Sequence, residues 1–86
     1  MDNKVLVRVI VPEILQTFDV YLPINKKIGN IIELLNKGIN DLTNNGFPIS
    51  QNKALYNAST RELYQSDVLL YNTNIRNGSR LVLITL

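Results

Sequence analysis

The side chains here that could do acid–base work are carboxylates, among them Glu13, Asp19, Glu33, Asp41, Glu62 and Asp67. General acid–base catalysis needs its groups within hydrogen-bond reach of one substrate. These six are scattered through hairpins, helix and loops, and no two share a spacing that marks an acid/base pair. Ser and Thr hydroxyls are potential nucleophiles, but a hydroxyl needs a neighbouring base, and the sequence has no His. It also has no Cys. Those absences exclude Cys and His nucleophiles, Cys/His zinc sites and haem ligation through His. Four glycines lie far apart, in neither a G-x-G nor a G-x-x-x-x-G-K arrangement, so no phosphate cradle is visible. No enzyme activity, cofactor or metal is expected. The charged residues are 9 Lys+Arg against 7 Asp+Glu. Only Lys26 and Lys27 are adjacent among the cations. Nucleic-acid binders gather several phosphate contacts on one face, so the surplus reads as a mixed, solvated surface and no nucleic-acid partner is expected.

The elements that carry these residues must come from a short chain. With 86 residues, 45% of them hydrophobic, one domain over residues 1–86 is expected. A chain this small hides only roughly 60% of the surface its unfolded form exposes, and no disulfide supports it. The apolar run Val5–Val11 is interrupted by Arg8 and ended by Pro12-Glu13. It fits neither an export signal nor the roughly 20 apolar residues of a membrane span. A cytoplasmic protein with no membrane insertion is expected. The sequons Asn57-Ala58-Ser59 and Asn77-Gly78-Ser79 read as turns rather than glycan sites.

Val5, Val7, Val9 and Val11 alternate with Leu6, Arg8 and Ile10, a period-2 strand with the valines on its core face. Phe18, Val20 and Leu22 alternate with Asp19 and Tyr21 in a second strand closed by Pro23, and the short gap predicts an antiparallel hairpin. Ile28, Ile31, Ile32, Leu35, Ile39 and Leu42 fall at 0, 3, 4, 7, 11 and 14, one stripe of a helix. Asn25 is the expected N-cap. Asn44-Asn45-Gly46 is the expected stop, with Gly46 at positive φ. Ala54–Asn57 reads as a short strand, Ser59–Glu62 as a turn and Leu63-Tyr64 as a brief return strand. Leu70 and Ile75 pin a compact connection, Asn77-Gly78 is a turn, and Leu81–Ile84 is the last strand.

The expected class is therefore α+β, in the order β-β-α-β-β-β, with one helix packed on a mixed sheet. That is the layout of a β-grasp. The whole chain resembles ubiquitin-like proteins, and more closely the small bacterial YukD-like proteins associated with type VII secretion. The resemblance rests on Phe18-Asp19-Val20-Tyr21-Leu22-Pro23, on the helix entry Ile28-Gly29-Asn30-Ile31-Ile32, and on Asn74-Ile75-Arg76-Asn77-Gly78-Ser79-Arg80-Leu81. Ubiquitin-like modifiers and sulfur carriers end in Gly-Gly, whereas this sequence ends Leu83-Ile84-Thr85-Leu86. The YukD-like proteins also lack Gly-Gly, so the resemblance implies a non-conjugated, cytoplasmic interaction domain of a Gram-positive bacterium. Its role would be that of an accessory or regulatory component of a type VII secretion system. An adaptor or scaffold subunit of another cytoplasmic complex is the alternative.

Parity along the strands gives a candidate docking face. With the valines inward, Leu6, Arg8 and Ile10 point outward; with Leu81 and Leu83 inward, Val82 and Ile84 point outward; Tyr56 does so opposite Leu55. Leu6, Ile10, Tyr56, Val82 and Ile84 are expected to form one exposed apolar patch flanked by Arg8 and Arg80. The resemblance places the patch where ubiquitin docks its receptors. Such a patch suits a protein partner or self-association, although exposed aliphatics also follow from β propensity alone.

Overall fold

The computed structural model describes residues 3–47, 49 and 52–86, so Met1, Asp2, Pro48, Ser50 and Gln51 lie outside the described residues. Strand β1 runs Lys4–Val11 and β2 runs Gln16–Pro23. They pair antiparallel along their full lengths, from Lys4↔Pro23 to Val11↔Gln16. Helix α1 spans Ile28–Leu42, β3 Lys53–Asn57 and β4 Arg80–Thr85. The sheet order is β2-β1-β4-β3, with β4 parallel to β1 and antiparallel to β3. Among the described residues this is a β-grasp of four strands and one α-helix.

Leu63-Tyr64 does not form the expected return strand but a single bridge from Leu63 to Tyr56. Two backbone bonds hold it: Asn57 N–H donates to Glu62 O at 2.9 Å and Tyr64 N–H to Leu55 O at 3.0 Å. The Tyr64 ring then enters the core, which draws the chain away from the sheet edge.

Val7, Val9 and Val11 face α1 together with Leu81, Leu83 and Leu55, and all six are buried. Ile28, Ile31, Leu35 and Ile39 of the helical stripe are buried against them, Ile32 is partly buried, and Leu42 is exposed at the last helical residue. Phe47, Leu70 and Ile75 complete the core from the connections. Removing this apolar surface from water is the main force holding the small domain together.

Both helix ends differ from expectation. The N-cap position is Lys27, without a side-chain cap, rather than Asn25. The orphan donors are satisfied across the fold instead: Ile28 N–H donates to Val68 O and Gly29 N–H to Ser66 O, each at 2.9 Å. At the other end Asn44 and Asn45 take the left-handed conformation, with φ of 53° and 66°. Gly46 does not. A Cβ on Gly46 would lie 2.9 Å from Thr43 O, so glycine is needed there for space. Asn tolerates the left-handed region better than most residues with a Cβ, which explains why the stop works two residues early.

Candidate protein-interaction surface

The face of the sheet opposite α1 follows from register. Arg8 pairs with Asp19 on one side and Arg80 on the other, which sets an Asp19–Arg8–Arg80 row across β2, β1 and β4. On one side of this row, Leu6 pairs with Tyr21. On the other side Thr17, Ile10, Val82 and Tyr56 form a row across all four strands. Ile84 opposite Ala54 lies beyond it.

Two expectations about the patch change. First, Arg8 and Arg80 do not flank a single patch. They form a charged belt that separates Leu6 and Tyr21 from Ile10, Val82, Tyr56 and Ile84, because Leu6 and Ile10 sit two strand steps either side of Arg8. Second, Val82 points outward by parity but is only 6% exposed. Its register neighbours Ile10 and Tyr56 flank it, and Ala58, Arg61 and Leu63 line the same shallow depression over it. Val82 is thus the floor of the patch. Ile10, Tyr56 and Ile84 are half-buried, and Leu6, Arg8 and Arg80 are exposed.

Tyr21 and Leu63 join this face, at 67% and 61% exposure. Tyr21 is readable from the alternation of Phe18, Val20 and Leu22. Leu63 carries no sequence signal, because its place depends on how the 58–63 loop folds back. That loop is held by Asn57, whose Oδ1 accepts from Ser59 N–H at 2.8 Å and Thr60 N–H at 3.0 Å. Asn57 Nδ2 donates to the Tyr64 hydroxyl at 3.0 Å, and that hydroxyl donates to Asn74 Oδ1. Asn74 Nδ2 in turn donates to Glu62 Oε1 at 3.1 Å. Burial pushes the Tyr64 phenol above its ordinary value, against the Asn57 bond, so it stays a neutral donor. The network positions a loop, and its tyrosine is committed to structure.

Arg8 Nε donates to Asp19 Oδ1 at 3.0 Å, with both side chains largely exposed. The hydrogen bond raises the Arg8 pKa and lowers that of Asp19, and the opposite charge adds to both shifts. An ion pair this exposed orients its partners more than it stabilises the fold. The Asn77-Gly78 turn closes one end of the surface. Asn77 Oδ1 accepts from Leu6 N–H at 2.8 Å, and Gly78, at φ 89°, donates its N–H to Leu6 O. Among the described residues no group of three Asp or Glu is placed to hold a metal ion. No described helix is long and apolar enough to cross a membrane.

No protein-family model matches the sequence, and no curated protein matches it. Solved structures do. The EccD5 ubiquitin-like domain from Mycobacterium xenopi superposes with a TM-score of 0.77 at 19% identity, over 99% of this chain and 97% of that one. The fold is ubiquitin-like. A chain of the MycP5-free ESX-5 inner membrane complex matches with a TM-score of 0.79 at 20% identity, covering 99% of this chain. This ubiquitin-like chain spans only 21% of that longer one. A chain of the toluene 4-monooxygenase HD complex matches with a TM-score of 0.78 at 10% identity, over 96% of this chain and 99% of that one. The domain is therefore similar in fold to the EccD5 ubiquitin-like domain and to part of a chain of the ESX-5 inner membrane complex, and identities this low carry the fold alone.

Proposed function

We propose that residues 1–86 form a single, non-catalytic and non-conjugated ubiquitin-like interaction domain. It serves as an accessory or regulatory component of a type VII secretion system in a Gram-positive bacterium, in the manner of the YukD-like proteins. It works in the cytoplasm by non-covalent docking, without cofactor, nucleic acid or membrane insertion. The observation that carries this reading is the superposition on the EccD5 ubiquitin-like domain over nearly all of both chains. The docking face is the outer side of the sheet. Tyr56, Ile10 and Ile84 supply apolar contact around the Val82 floor, with Leu6 beyond the belt and Arg8 and Arg80 supplying charge. A half-buried aromatic such as Tyr56 offers large contact area at low entropy cost and is the natural anchor.

A second reading has one observation in its favour. The match to nearly the whole of a chain from the toluene 4-monooxygenase complex supports a scaffold subunit of another cytoplasmic assembly. Affinity capture from the native cell separates the two. Wild-type bait is expected to retain secretion-system components, and Tyr56→Asp and Ile84→Asp baits that still fold, as circular dichroism shows, to lose them. Retention of the subunits of an unrelated enzyme complex would favour the second reading. Capture undiminished by either substitution would remove this face as the docking surface.

A further inference from the structure

The outer face of β1 carries a cation, an apolar residue and a cation at alternate positions: Lys4, Leu6 and Arg8. They line the floor of an open groove, with Tyr21 and Asp19 of β2 on one side and the Asn77-Gly78 turn and Arg80 on the other. Among the described residues that line it, three cations face one carboxylate, and Asp19 is already bonded to Arg8. Arg80 stands beside Arg8 in the parallel register, and no described residue pairs with its side chain. The groove thus keeps a positive surplus around an apolar centre in which Leu6 is 40% exposed.

We propose that this groove binds an extended, acidic segment of a partner protein, with two carboxylate residues four apart and an apolar residue midway between them. The spacing follows from strand geometry. Four residues of β1 separate Lys4 from Arg8, about 13 Å at roughly 3.3 Å per residue, and an extended segment places its residues i and i+4 at the same separation. One carboxylate meets Arg80 and Arg8, the other meets Lys4, and the central side chain lies on Leu6 against the Tyr21 ring. A separation of about 13 Å suits an extended segment rather than a helix, in which residues i and i+4 lie only about 6 Å apart along the axis. The groove's positive surplus selects acidic over basic segments and speeds encounter at low salt. The proposal rests on the reading of the outer sheet face as a docking surface and adds the chemistry of what docks.

The probe is a fluorescein-labelled peptide, Gly-Glu-Thr-Leu-Thr-Glu-Gly, with twins in which Gln or Lys replaces both Glu. Fluorescence anisotropy is expected to show saturable binding of the Glu peptide that weakens with added salt, and none of the Lys twin. Amide NMR shifts should centre on Leu6, Gly78 and Arg80. Arg80→Glu and, separately, Lys4→Glu should each weaken binding about tenfold, the scale of one lost charged contact, with amide spectra that remain those of a folded domain. No saturable binding, equal binding of the Gln twin, or shifts confined to another face would each overturn the proposal. Cellular capture keeps its failure apart from that of the docking reading. If Tyr56→Asp abolishes partner capture while Lys4→Glu and Arg80→Glu leave it intact, the groove falls and the docking face stands. If all three leave it intact, both fall.

Discussion

Replacing Val82 with Ala separates a residue that supports the docking face from one that touches a partner. Val82 sits on the outward side of β4, yet Ile10, Tyr56 and the 58–63 loop leave it almost without solvent. The substitution removes two carbons from a covered site. At about 0.8 kcal/mol for each buried methylene the transfer loss is roughly 1.6 kcal/mol. A small residual cavity beneath Leu63 and Tyr56 brings the cost to about 2 kcal/mol. For a domain of this length each kcal/mol moves the melting temperature by about 4–8 °C, so a fall of about 8–16 °C is expected. Leu63→Ala on the same face is the comparison. That side chain is largely exposed, and its loss should stay within about 0.5 kcal/mol. Thermal and urea unfolding followed by far-UV circular dichroism reads both, with the urea slope unchanged if only native packing is lost. A Val82→Ala protein that melts with the wild type would refute the covered floor and restore Val82 to the exposed patch that strand parity alone implies.

Gly38 lies in the interior of α1, where an added Cβ meets nothing within 4 Å, so Gly38→Ala should raise stability by up to about 1 kcal/mol through helix propensity. Gly29→Ala, at the second residue of α1, should gain less or lose, because its Cβ would lie 3.2 Å from Ser66 O; the two melting curves side by side check both. The Tyr64 phenol is raised in the folded protein, so its contribution to stability is whole below the unfolded value near 10 and is lost as pH rises from there through the folded value. Urea midpoints of wild type and Tyr64→Phe measured across alkaline pH should therefore converge as pH rises, and parallel profiles would contradict the raised phenol.

The period-2 valines of β1 and the 3.6-residue stripe of α1 were enough to determine the class of fold, because hydrophobic periodicity reports which face of an element meets the core. The β1–β2 hairpin, the turn at Asn77-Gly78 and the inward Leu81 and Leu83 were legible for the same reason: each depends on neighbours in the chain or on one strand's own alternation. The elements that escaped the sequence depend on distant segments. Lys27, not Asn25, stands at the helix N-cap, since Val68 O and Ser66 O take up the first free N–H groups of α1. Leu63-Tyr64 contributes one bridge because Tyr64 is drawn to the core and to Asn57 and Asn74. The candidate site divides along the same line. Parity assigned Leu6, Arg8, Ile10, Tyr56, Val82 and Ile84 to the outer face, as a matter of two-residue alternation. Whether those residues are contiguous, covered or separated depends on register between strands. The parallel pairing of Arg8 with Arg80 and the antiparallel pairing of Arg8 with Asp19 turn two expected flanking charges into a belt across the sheet. The antiparallel pairing of Tyr56 with Val82, together with the loop beside it, buries a valine that alternation alone exposes. Alternation is a property of one strand, but burial and charge neighbourhood are properties of which strands lie side by side, and only the tertiary fold decides that.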